Sequence, residues 1–88
     1  MNTRTNQLYP FKLPTTEYPD FSERLKYTMS LRNCSVAELA ECAYVSRSTI
    51  CGYRKGSRSP DIRTLRLLCV ALDVSSDFLI GLREDIYL

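Results

Sequence analysis

Between Ser35 and Pro60 the chain starts two helices with almost no link between them, and this restricts the fold more than any other feature. Ser35 and Glu38 form a Ser-x-x-Glu box, in which the hydroxyl serves the amide of residue 38 and the carboxylate reaches back to residue 35. The helix that starts at Val36 turns Val36, Leu39, Ala40 and Ala43 inward at helical spacing and leaves Glu38 and Glu41 to solvent. Ala40 and Ala43 are small enough to admit another helix closely. Ser46 is the next N-cap, and beyond it Ile50 and Tyr53 recur on one side, with Arg47, Ser48, Cys51 and Gly52 on the other. Only Tyr44 and Val45 separate the two helices, so the second must cross the first steeply, as in a helix-turn-helix connection.

Three further helices frame this pair. Pro19, Asp20 and Glu23 mark a start whose stripe is Phe21, Leu25, Thr28 and Met29, with Arg24, Lys26 and Arg32 off the stripe and an end near Asn33. Gly56 terminates the third helix, and Asp61 caps a fourth with Ile62, Leu65, Leu68, Cys69 and Leu72 on its stripe, ending at Asp73 and Val74. Ser75 caps a short fifth helix that turns Phe78 and Leu79 inward and closes at Gly81. The expected fold is all-α: a compact five-helix domain over residues 19–81, preceded by an extended arm (1–18) and followed by an apolar tail (82–88). Its core would be Leu25, Met29, Leu39, Ala40, Ala43, Val45, Ile50, Leu65, Leu68, Cys69, Leu72, Phe78 and Leu79. In the arm Tyr9, Phe11 and Leu13 alternate with polar or proline positions, so it either packs on the domain or a second subunit, or forms a loose leader.

Eighty-eight residues allow one domain. With no long apolar run and no charged-then-apolar leader, the expected location is the cytoplasm, away from any membrane. A net charge of +2 carries little weight, but its distribution does: Cys42 to Pro60 holds Arg47, Arg54, Lys55 and Arg58 and no acid, a local +4 that leaves −2 for the rest. Basic residues alone would fit a solvated face equally well; their coincidence with the second helix of the pair points to DNA. Cys34, Cys42, Cys51 and Cys69 lack C-x-x-C spacing and there is no histidine, so neither a metal nor another cofactor is expected. The four thiols read as small hydrophobes, with oxidation sensing an alternative for Cys51.

Leu39, Ala40, Val45, Ser46, Ile50 and Tyr53, followed by Gly56, Pro60, Leu65, Leu68, Ala71, Leu72, Val74, Ser75, Phe78, Leu79 and Gly81, resemble the Cro and phage-repressor (XRE-like) helix-turn-helix family from about Asp20 to Gly81. The sequence departs from that pattern at Val36, where relatives usually carry a Gln that contacts DNA, and at Tyr44, where they often carry Gly. The resemblance implies a sequence-specific DNA-binding transcriptional regulator, most simply a dimeric repressor, binding a double-stranded operator with no small-molecule ligand. In that geometry Arg47, Ser48, Thr49, Cys51 and Gly52 face bases, while Ser46, Arg54, Lys55, Ser57 and Arg58 hold phosphates. Arg47 is the leading base reader, because a guanidinium grips guanine O6 and N7 with two bonds. Thr49 has the alternative of bonding locally, and Arg54 that of pairing with an acid inside the protein. The rival function is a protein-interaction module, such as an antitoxin or anti-repressor. Catalysis is not expected, since nothing assembles a nucleophile with a base.

Overall fold

A computed structural model describes residues 20–83, and each of its five helices begins where a side-chain oxygen takes an amide that the helix itself leaves free. The helices are α1 (Phe21–Leu31), α2 (Val36–Ala43), α3 (Arg47–Lys55), α4 (Ile62–Leu72) and α5 (Ser76–Leu79). Asp20 accepts from the Glu23 amide at 3.0 Å, Ser46 from Thr49 at 3.1 Å, Asp61 from Thr64 at 2.8 Å and Ser75 from Asp77 at 3.1 Å. At α2 the box closes in both directions: Ser35 Oγ accepts from the Glu38 amide at 3.1 Å, and Glu38 Oε1 accepts from the Ser35 amide at 2.9 Å. The bond from the Ser35 amide, foremost, holds the Glu38 carboxyl below its ordinary value. The arm and all of the tail except Leu82 and Arg83 lie outside the described residues.

The helix ends show how the short link is made. Tyr44 takes the left-handed conformation, φ 58° and ψ 43°, and the Val45 amide then closes on the Ala40 carbonyl at 3.1 Å. A Cβ in this region costs roughly 1–2 kcal/mol. The closing bond and the packing of Val45 against the core hold the turn in place. Tyr44 is 81% exposed, so its ring contributes little packing in return. Tyr44→Gly is therefore expected to raise stability by up to about 1 kcal/mol, since the relieved strain exceeds the extra unfolded-state freedom of glycine. A lower denaturant midpoint in the variant would show that the ring packs in solution.

Helices α1 and α3, α2 and α3, α2 and α4, and α5 with both α1 and α4 pack together around Leu25, Met29, Leu39, Ala40, Ala43, Ile50, Leu68, Leu72, Phe78 and Leu79. Tyr53, Val74 and Thr28 join this buried set, whereas Val45, Leu65 and Cys69 sit half-buried at its rim rather than inside. Ile62 is corrected outright: it is 85% exposed. The buried stripe of α4 is centred between Leu68 and Leu72, and Ile62 lies roughly 100° around the helix from that centre. Cys42 and Cys51 are exposed, so the reading of all four thiols as small packed hydrophobes fails for Cys42, while Cys51 lies on the open face where it was expected.

Arg24 is the other correction, fully buried although it was placed off the α1 stripe. One turn before Thr28, it lies within the buried half of α1, and Thr28 Oγ1 donates back to its carbonyl at 2.8 Å. Its Nη1 donates to the Phe78 and Arg83 carbonyls, each at 2.8 Å, and its guanidinium lies 4.7 Å from the Phe78 ring centre. Arg32 makes a second tie, donating from Nε to the Leu72 carbonyl and from Nη2 to that of Asp73, both at 2.8 Å. A cation thus closes the carbonyl end of α4. Together the two arginines tie α1 to the ends of α4 and α5.

Candidate functional site

Nine residues make two and a half turns of α3, and only Ile50 and Tyr53 anchor them in the core. Phe21 of α1 meets the Tyr53 ring edge-on at 6.1 Å between centres, which fixes the rotation of α3 about its own axis. With that rotation set, Arg47, Ser48, Cys51 and Lys55 are exposed along one face, and Thr49 and Arg54 flank it half-buried. This matches the expected placement except at Gly52.

Gly52 does lie on the open face, one turn beyond Ser48, but the side chain of Arg58 buries it. A Cβ built there would meet Arg58 Cδ at 2.6 Å and Cγ at 2.8 Å. Its carbonyl also takes the Ser57 amide at 3.0 Å, the Arg58 amide at 3.2 Å and Ser57 Oγ at 3.3 Å. The loop after α3 folds back because Gly56 supplies a left-handed cap at φ 84°. A glycine inside a helix signals a close approach, and the approaching group is this protein's own Arg58.

At the start of α3 the polar side chains form a hydrogen-bonded chain. Arg58 Nη1 donates to Thr49 Oγ1 at 3.3 Å, since a guanidinium can only donate. Thr49 and Ser46 hydroxyls lie 2.8 Å apart, and those of Ser46 and Ser48 3.0 Å apart. Ser46 Oγ also accepts the Thr49 amide, so it joins the hydroxyls of Thr49 and Ser48 in one hydrogen-bonded chain. Thr49 takes the local-bonding alternative, its hydroxyl occupied on both sides.

Arg47, Arg54, Lys55 and Arg58 enter no ion pair with any other described residue, so the alternative of an internal acid for Arg54 is not realised there. Arg54 Nε is buried without a hydrogen-bond partner among those residues. Its side chain lines a shallow cleft between α1 and α3 with Lys26, Cys51 and Lys55, and Lys26 is paired with Glu23 at 2.9 Å. Lys26 in this cleft and the seat of Arg58 on Gly52 are features that periodicity alone does not reveal. Val36, at the first turn of α2, borders a neighbouring cleft with Arg54 and Lys26. No group of metal-binding side chains occurs among the described residues, and no helix there is long and apolar enough to cross a membrane.

The comparisons with known proteins agree with this geometry. A helix-turn-helix family model matches residues 25–79. The chain is 29% identical over 65 residues to the uncharacterized HTH-type transcriptional regulator YobD of Bacillus subtilis, a match spanning 74% of this chain and 58% of YobD. It is similar in structure to the restriction-modification controller protein C.AhdI of Aeromonas hydrophila, with a TM-score of 0.64, 27% identity, and coverage of 68% of this chain and 91% of that one. The N-terminal DNA binding domain of SinR from Bacillus subtilis superposes with a TM-score of 0.62 at 30% identity, covering 67% and 87% of the two chains. The residues at the turn, the five helices and the extent of the match together place this chain in the Cro and phage-repressor (XRE-like) helix-turn-helix family.

Proposed function

We propose that this protein is a sequence-specific DNA-binding transcriptional regulator, a repressor that docks on its operator as a homodimer with α3 in the major groove. The observation that carries this reading is the outer face of α3, where a polar first turn is open to solvent beside four cations that have no carboxylate partner among the described residues. SinR, similar in structure with a TM-score of 0.63 at 30% identity, is in complex with DNA. In this docking the first residues of the helix reach base edges and its flanks take phosphates. Arg47 reads a guanine, Ser48 adds its hydroxyl, and Cys51 faces the groove one turn further on. Thr49 positions the hydroxyls of Ser46 and Ser48. Ser46, Arg54, Lys55 and Ser57 hold phosphate oxygens, which fixes register without reading sequence. The protein works in the cytoplasm and carries out no catalysis.

A salt titration tests this reading. The logarithm of DNA affinity is expected to fall linearly with the logarithm of salt concentration, by about 0.9 per neutralised phosphate. Binding that does not change with salt, or no binding by a folded protein, would favour a protein-interaction role such as an antitoxin.

The dimer has its own test. Ile80 and Leu82, 48% and 70% exposed, lead from α5 into the apolar tail, and a symmetric contact would cover such a patch twice. Ile80→Glu with Leu82→Glu should give a monomer in sedimentation and weaken binding to paired half-sites more than to a single half-site. A dimer that survives both changes would move the interface elsewhere.

A further inference from the structure

The geometry points to Arg58 as a second base-reading residue, a specificity determinant delivered to α3 from the loop beyond it. This inference rests on the DNA-binding reading and deepens it, since sequence placement alone assigns Arg58 to phosphate. A phosphate contact needs charge near the backbone and little fixed geometry. Arg58 is instead held along its whole length. Its amide donates to the Gly52 carbonyl at 3.2 Å, its aliphatic stem covers the bare Cα of Gly52, and its Nη1 donates to Thr49 at 3.3 Å.

Gly52 lies one turn beyond Ser48 on the open face, a position from which a side chain would reach the groove. The residue there has no side chain, and Arg58 fills its place. With Nη1 donating to Thr49, the guanidinium is held beside the first turn of α3 before DNA arrives. A planar fork held in this way suits the paired acceptors O6 and N7 of guanine. Holding a long side chain in advance also removes most of the ordering cost that a free arginine would bear on binding. The group recognised is therefore a guanine edge in the major groove, at a base pair distinct from that read by Arg47.

The test compares Arg58→Ala, Arg58→Lys and Gly52→Ala with the unaltered protein on the preferred duplex and all its single-base-pair variants, at two salt concentrations. Arg58→Ala should lose roughly five- to hundred-fold on the preferred duplex and much less on duplexes altered at one particular G·C pair. Arg58→Lys retains the charge and should lose the same discrimination, because an ammonium cannot grip two acceptors in a plane. Gly52→Ala fills the seat and pushes the stem aside, so preference at that same pair should fall while the salt dependence stays as it was. If Arg58→Ala and Arg58→Lys leave the preference at every base pair unchanged, or Arg58→Ala weakens all duplexes equally, Arg58 is a phosphate contact and the inference is overturned. Should Gly52→Ala fail to fold, Arg58→Lys alone decides. An unaltered protein that prefers no duplex removes the DNA-binding reading as well, whereas loss at Arg47 without loss at Arg58 removes only this one.

Discussion

Arg47→Ala is expected to cost about 1–3 kcal/mol on the preferred operator and much less on duplexes altered at the base pair that Arg47 reads. The side chain is exposed at the first position of α3, with no partner among the described residues to hold it back. Its loss therefore removes a base contact without disturbing the core under Ile50 and Tyr53. Lys55→Ala, two turns further on, should fail differently. It should weaken preferred and altered duplexes alike and lower the salt slope by about one, because a phosphate contact releases counterions whatever the sequence. Affinities of both variants on matched and mismatched duplexes across a salt series separate the two roles. If Arg47→Ala weakens every duplex equally, base reading passes to Ser48 or its neighbours.

The largest effect on stability is expected at Leu39. It is fully buried on α2, the helix that packs against both α3 and α4, so truncation opens a cavity at the centre of the domain. Leu39→Ala should cost about 2–5 kcal/mol, a large part of the roughly 5–15 kcal/mol that holds a domain of this kind together. At about 4–8 °C per kcal/mol for this size, the melting midpoint should fall by roughly 10 °C or more. Ile62→Ala is the control: the side chain is 85% exposed, and its removal should shift stability by no more than about 0.5 kcal/mol. Equal midpoints for the two variants would mean that the core is not organised around α2.

The local signals of the sequence are realised at the residues that carry them. Asp20, Ser35, Ser46, Asp61 and Ser75 each cap the helix they announce, because capping needs only one oxygen and an amide two or three residues away. Interactions between distant residues were less legible. Arg24 looks like a surface residue until α5 arrives fifty-four residues later with a carbonyl and an aromatic ring to receive it. Ile62 looks like part of the apolar stripe until the rotation of α4 is fixed by Leu68 and Leu72. At the candidate site, periodicity separated the open face of α3 from its anchors Ile50 and Tyr53. It placed Gly52 on that open face but not Arg58 over it, since the return of Arg58 depends on the left-handed cap at Gly56 and on hydrogen bonds to the Gly52 carbonyl. Tyr44 shows the reverse case. The requirement of the turn for a left-handed residue prevailed over the poor suitability of tyrosine for it.

The central claim is that α3 reads a DNA sequence, and selection of bound sites from a pool of random duplexes tests it most directly. The expected result is an enriched operator of two related half-sites whose centres lie about 10 base pairs apart, each with a guanine whose enrichment is lost when the selection is repeated with Arg47→Ala. A folded protein that recovers no sequence above its frequency in the starting pool, at low and moderate salt alike, would contradict the claim.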